Sequence, residues 1–368
     1  MLVAYCRYST DNFLPLGLTP GPRAPVDLAS FYHPLLDELR LLREGVPAYD
    51  AHTDEAFFLK AHLVLVTGDS PAIAKLMSFS GHSARFPCRA CKIDGTAFKI
   101  THRKKNGQQG ETTHYYFPLL PPTRFPSDFA AHVKSIYRHH PSYTVDDLPL
   151  RTPDNYQEDA FLDDPSLTGV KGISPLSLIP TIQVPYSCPF DVMHLVYLGF
   201  VRDLCRLLSG SYFKKESPVN HRSPISKSEW EQLGKEMGMI EAPSNWGRPP
   251  RDISKHINGL KAEDCSNFLT HYMLPLIHGR VDDRSFTALQ QLVLAMSLAI
   301  SYEIESTELH LIDNLLKQFS DWFYSTFYRR EYDYLQVCKY TIHALLHIPR
   351  EIRNWGPASY FWQYAEVS

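Results

Sequence analysis

Asp69 closes an apolar run, Phe57-Phe58-Leu59-Lys60-Ala61-His62-Leu63-Val64-Leu65-Val66-Thr67-Gly68-Asp69. The run reads as a buried strand, which would set a carboxylate at a rigid strand tip. Such a carboxylate suits Mg²⁺, which takes oxygen ligands in octahedral geometry and usually only one or two protein carboxylates. Two such ions can activate the attacking oxygen and stabilise the leaving one in phosphodiester chemistry. The plainer alternative is a turn aspartate shaped by Gly68 and Pro71. A second carboxylate, Glu366, follows the aromatic segment Ser359-Tyr360-Phe361-Trp362-Gln363-Tyr364-Ala365. By physics alone a glutamate so placed is a solvated tail.

Cys88-Arg89-Ala90-Cys91 has a spacing that suits zinc, yet a structural zinc site needs four ligands. No second Cys-x-x-Cys exists, so His82, His102 and His114 are the candidate partners, with a pair of free thiols as the alternative. A redox role is disfavoured because no βαβ context surrounds the pair. Asp191-Val192-Met193-His194 puts a carboxylate and an imidazole on one helical face, where the aspartate can fix the histidine tautomer. Asp191 also stands where a helix N-cap is expected. His343-Ala344-Leu345-Leu346-His347 has the i, i+4 histidines of a zinc-protease helix without its glutamate, whose place Ala344 takes. These histidines are read as packing or hydrogen-bonding residues, since a zinc hydrolase would need a third ligand that the sequence does not offer. The basic stretch His102-Arg103-Lys104-Lys105 reads as a solvated loop able to touch phosphates.

The elements that must position these groups fall into two styles. Met1–Tyr8 and Asn12–Leu18 are short candidate strands, followed by the run that ends at Asp69. Between them Asp27 is an expected N-cap for a helix with Leu28, Phe31, Leu35, Leu36, Leu39 and Leu42 at helical spacing, Gly45 its expected C-cap, and Pro34 a kink or a later start. Pro71–Phe79 is an expected short helix. Residues 80–186 carry few periodic segments and read as an irregular insertion. Residues 189–209 read as a helix, 211–253 as polar and turn-rich, and Glu263–Arg330 as strongly helical, with Leu289, Leu292, Leu294, Met296, Leu298, Leu311 and Leu315 as core. Tyr340–Arg353 is a further expected helix, broken by Trp355-Gly356-Pro357. The outline is α+β with a large helical portion.

Of the 368 residues, 44% are hydrophobic and 12% aromatic, enough for a large core in one or two domains. The net charge of −3 gives no global basic field, so any contact with nucleic acid needs a local patch. Seven cysteines, mostly isolated, favour free or metal-bound thiols in a reducing compartment. Neither a signal-peptide pattern nor an apolar run long enough to span a bilayer is present, which predicts a nuclear or cytoplasmic protein that is not secreted.

In their order along the chain, several segments resemble the CACTA-like (En/Spm) DNA transposases of fungi, with the related Plavaka and Kyakuja-Dileera-Zisupton groups. They are Leu14-Pro15-Leu16-Gly17-Leu18-Thr19-Pro20-Gly21-Pro22, His33-Pro34-Leu35-Leu36-Asp37-Glu38-Leu39 and Gly68-Asp69-Ser70-Pro71-Ala72. Pro87-Cys88-Arg89-Ala90-Cys91, His114-Tyr115-Tyr116-Phe117-Pro118-Leu119 and Asp191-Val192-Met193-His194-Leu195 follow. His343-Ala344-Leu345-Leu346-His347-Ile348 and Asn354-Trp355-Gly356-Pro357 complete the set. The resemblance implies an RNase H-like core interrupted by a helical insertion, and Mg²⁺-dependent cleavage and strand transfer at transposon ends by three acidic residues. Asp69 would be the second acid and Glu366 the third, with Cys88, Cys91, Asp191 and His194 as accessory motifs. The implied division is residues 1–80 as a partial core holding its second to fourth strands, 81–188 as the Cys-x-x-Cys insertion, 189–354 as the helical insertion, and 355–368 as the start of the catalytic helix.

On this mapping Met1–Tyr8 is already the second strand, so the first acid lies upstream of Met1, and the chain stops two residues after Glu366. The expectation is a fragment truncated at both ends, inactive alone, holding magnesium weakly, with transposon-end DNA as ancestral partner and a homo-oligomer as its assembled form. The alternative is a non-enzymatic DNA- or protein-binding module stabilised by zinc at Cys88 and Cys91, with His82 and His114 completing the ligand set.

Overall fold

In the computed structural model, residues 16–17, 25, 27–103, 108–213, 223–243 and 246–364 are described. Met1–Tyr8 and Glu366 lie outside the described residues, and of Asn12–Leu18 only Leu16 and Gly17 lie inside them.

Helix α1 (Leu28–Glu44) begins where Asp27 accepts the backbone N–H groups of Ala29 and Ser30, at 3.0 and 3.4 Å. It runs through Pro34 and stops at Gly45, whose φ of +113° would strain any residue with a side chain. Strands β1 (Val46–Asp50) and β2 (Glu55–Leu59) form an antiparallel hairpin with Val46 opposite Leu59 and Asp50 opposite Glu55. Here the structure departs from the buried strand expected up to Asp69. Phe57, Phe58 and Leu59 pair with β1 and are exposed, and residues 60–69 form no strand. The physical reason is that the later backbone takes its partners from a distant loop. Val66 donates to the Ser187 carbonyl at 2.8 Å, and the Thr181 hydroxyl donates to that of Leu63. Helix α2 (Ser70–Leu76) follows, near its expected place.

Residues 80–186, read as irregular, contain a second antiparallel hairpin, β3 (Thr96–Arg103) with β4 (Gln109–Tyr116), in which Thr96 faces Tyr116 and Phe98 faces His114. Short helices α3 (Ala131–Arg138) and α4 (Pro153–Leu162) come next, α4 opened by a Thr152–Asn155 capping box. A π-helical stretch, Met193–Val201, leads directly into α5 (Arg202–Leu208), as the helical pattern over 189–209 predicts. Helix α6 (Lys227–Met237) stands inside the stretch read as turn-rich, because Ser226 and Glu229 cap it reciprocally. Helices α7 (Asp283–Ala299) and α8 (Ser306–Phe323) follow, and α8 continues into a further π-helical turn, Tyr324–Tyr328. The expected helix over Tyr340–Arg353 is divided into α9 (Tyr340–Leu345) and α10 (Ile348–Trp355). Pro349 lacks the N–H that would bond the Leu345 carbonyl.

The described strands form two two-stranded antiparallel sheets and helices dominate the rest, so the fold is α+β with few strands. Among the described residues no helix is long and apolar enough to cross a membrane.

The chain divides into two compact units. One holds the described residues of Met1–Lys92, Pro149–Pro189 and Gln363–Ser368. Its core gathers Leu36, Ile73, Met77, Phe79, Tyr156 and Val170. The Tyr156 hydroxyl donates to the Met77 carbonyl and accepts from the Ser174 N–H, so its burial leaves no polar atom unpaired. The other unit holds Ile93–Leu148 and Phe190–Trp362. There α7 packs on α8, and Leu289, Leu292, Ala295 and Met296 of the one and Ile312, Leu315, Phe319 and Phe323 of the other are all buried. Leu294 and Leu311, expected in the core, lie on the outer faces of these helices at 46% and 42% exposure.

A candidate metal centre

The Cys88–Cys91 turn is built by backbone and by one arginine. Arg151 donates its N–H to the Ala90 carbonyl at 2.9 Å, and Lys92 donates its own to that of Pro149 at 2.7 Å, so the two stretches pair across an isolated bridge between Cys91 and Leu150. The Arg151 side chain is fully buried. Its Nε donates to the carbonyls of Cys88 and Cys91, at 2.8 and 3.3 Å. Its terminal nitrogens reach the Asp159 carboxylate at 3.0 Å and the Thr168 carbonyl at 2.6 Å. Phe79 lies beneath the guanidinium at 4.9 Å, and Lys92 shares the Asp159 carboxylate at 2.8 Å. Burial pushes this guanidinium below its ordinary value, and the Cys88 and Asp159 groups oppose that. A buried charge needs this degree of pairing. Neither cysteine is in a disulfide, and both are completely buried.

The two histidines come from the break between α9 and α10. His343 sits on α9, and His347 is the residue before α10, where its side chain makes no capping bond. The i, i+4 relation stacks them one turn apart. Their Nε2 atoms stand 3.2 Å from each other, and the His347 ring stacks on Phe190 with centroids 6.0 Å apart. Both are buried.

One ligand atom from each of Cys88, Cys91, His343 and His347 lies within 4.8 Å of all the others, and every one of these residues is buried. Around a tetrahedral zinc, bonds of about 2.0–2.1 Å to nitrogen and 2.3 Å to sulfur place neighbouring ligand atoms roughly 3.3–3.8 Å apart. The 3.2 Å between the two imidazole nitrogens fits such an edge. Two thiolates and two neutral imidazoles are a donor set that zinc takes in structural sites. The cluster can therefore hold a metal.

The histidines expected beside the cysteines are elsewhere. His82 is exposed, and His114 is exposed on β4. The pair at 343 and 347, read from sequence as packing, stands in the cluster instead. Its signal was present: Cys-x-x-Cys with His-x-x-x-His is zinc-ligand spacing, but the histidine pair begins 252 positions after Cys91. The missing glutamate argued only against a protease, because a closed structural site needs no general base.

The other candidates stand apart. Asp69 is the N-cap of α2, accepting the Ala72 N–H at 2.7 Å. Asp191 both caps and pairs, taking the N–H groups of Met193 and His194 at 3.0 and 3.2 Å while His194 Nδ1 lies 2.5 Å from its Oδ2. The Asp191 side chain is buried and that of His194 is one-third exposed, so the carboxylate fixes the ring through Nδ1.

No curated protein matches the chain. Residues 4–146, a stretch that includes Asp69, Cys88 and Cys91, match the family model described as transposase family tnp2, and this similarity supports a transposase family for the chain.

Proposed function

We propose that this chain is a transposase-derived protein whose Cys88, Cys91, His343 and His347 bind one structural zinc ion, and whose ancestral chemistry is Mg²⁺-dependent DNA strand cleavage and transfer. The observation that carries the zinc reading is the convergence of two thiols and two imidazoles within 4.8 Å in a buried place, from motifs far apart in sequence. The match to tnp2 over residues 4–146 supports the DNA-directed ancestry. With four protein ligands the zinc has no open position, so it supplies stability and no hydrolytic water. That argues against a zinc hydrolase at His343 and His347. Asp69 and Glu366 remain the proposed magnesium carboxylates of the ancestral reaction, and Asp191 with His194 its accessory pair.

The test is metal content together with cobalt substitution. The purified full chain should carry one zinc per molecule, and the cobalt form should show the visible absorption of a tetrahedral thiolate site. Cys88→Ser and His347→Asn should each lose both signals. A metal-free protein, or a cobalt spectrum unchanged in these variants, would refute the zinc reading. Asp69→Asn separates capping from catalysis, because asparagine caps as well as aspartate. Weak magnesium binding, measured by titration of the full chain, that survives this change at unaltered melting temperature removes Asp69 from the magnesium site.

A further inference from the structure

The second unit contains a cavity of about 510 Å³, and three independent features meet at it. First, part of its wall is the π-helical turn Tyr324–Tyr328, a widened helix of a kind frequent at functional sites. Second, that turn ends in two consecutive left-handed residues that are not glycine, Arg329 (φ 54°) and Arg330 (φ 56°). Such strain persists only where the surroundings enforce it, and it clusters at ligand sites. Here Arg329 donates its N–H to the Tyr324 carbonyl at 2.8 Å, while the Arg330 carbonyl accepts from Thr123 and Arg124 at 2.8 and 3.1 Å.

Third, the lining joins aromatic faces to fixed cations. The Tyr324 and Tyr328 hydroxyls donate to the carbonyls of Phe117 and Leu120, at 3.4 and 3.1 Å, which pins both rings. Arg329 and Arg330 each spend Nε on a backbone carbonyl, that of Thr326 at 2.9 Å and that of Pro121 at 3.1 Å. Neither guanidinium has a carboxylate within ion-pair distance among the described residues. Arg124 is the paired one, 3.0 Å from Glu331. Asp321 is the single carboxylate in the lining, against three arginines. On a chain of net charge −3 this is a local basic site. Oriented guanidiniums without counter-ions call for an anion of phosphate geometry, and pinned aromatic walls call for a flat ring. The volume suits a ligand of nucleotide size.

We propose that this cavity takes one nucleotide of a single DNA strand, its base against Tyr324, which the buried Tyr328 backs, and its phosphate on Arg329 and Arg330. The choice of DNA rests on the transposase reading. The test is binding of a fluorescent oligodeoxythymidine to the full chain across a salt series. Tyr324→Leu should weaken binding by roughly five- to a hundredfold, the effect of losing one stacked base. Arg329→Gln should lower the slope of log affinity against log salt by about 0.7. Melting curves identify any variant that fails to fold. A photo-crosslink from thiothymidine in the oligonucleotide to the 324–330 peptide of the wild-type chain tests the site without substitution. Wild-type affinity and slope in both folded variants, or a crosslink elsewhere, would overturn the cavity while leaving DNA binding intact. Absence of any DNA binding by the wild type would sink the transposase reading along with it. Equal affinity for free thymidine monophosphate would replace the strand by a free nucleotide.

Discussion

Arg151 is the residue on which the cysteine turn depends. It is fully buried, and it ties the Cys88 and Cys91 carbonyls to Asp159 and to the Thr168 carbonyl. Arg151→Ala would leave the buried Asp159 with Lys92 as its cation, and would release both cysteine carbonyls. Removing one partner of such a network costs about 3–5 kcal/mol, and the shared lysine places the expected loss near the lower end. Arg151→Lys keeps the charge but not the planar fork, so it should recover only part of the loss. Urea denaturation gives the stability, and competition with a chromophoric chelator gives the zinc affinity. A variant that keeps both would show that the turn holds itself. No part of this role could be read from the sequence, where Arg151 is one arginine in Pro149-Leu150-Arg151-Thr152-Pro153.

Elements, more than residue types, decide how His343 and His347 are presented. Pro349 divides what reads as one helix over Tyr340–Arg353, and His347 falls in the break with its ring turned toward His343 instead of a helix end. Capping acts at the same scale. Asp282 opens α7 by accepting the Ser285 N–H and hydroxyl at 2.9 and 2.7 Å, and these bonds hold its carboxyl below the ordinary range. A carboxyl depressed in the folded state contributes stability above its unfolded value of about 3.9, and the contribution is lost as pH falls through the lower folded value. Asp282→Ala should therefore cost about 1 kcal/mol at neutral pH. The gap between wild type and variant should narrow as the solution is acidified below about pH 4. Denaturant midpoints at both pH values measure it, and a gap that widens in acid would contradict the assignment.

At the scale of the whole molecule, a bound ion that the unfolded chain holds weakly stabilises by mass action. The melting temperature should rise with free zinc and fall when a strong chelator is added, while Cys88→Ser should melt at the chelated temperature with or without zinc. An unchanged wild-type melt on chelation would mean that the four ligands close without metal. Metal binding should also release protons, because thiols must ionise before they ligate. The tnp2 match covers residues 4–146, so two of the four proposed ligands lie within it and two beyond it.

The sequence by itself determined what is local. It gave the α+β outline, the α1 caps at Asp27 and Gly45, the helical start at Asp191, the zinc-like spacing of Cys88 and Cys91, and the resemblance to a transposase family. The caps and the cysteine spacing rest on neighbours within about one turn, where propensity and spacing act directly, and the outline and the resemblance on the order of such segments along the chain. Tertiary structure alone decided which half of the apolar run from Phe57 would pair as a strand, because β1 took the first half and the loop at Ser187 took the backbone of the second. It also brought His343 and His347 into the group of four side chains that could hold a metal, while His82 and His114 are exposed. Ligand choice depends on which side chains folding brings within a few ångströms, and separation along the chain carries no information about that distance.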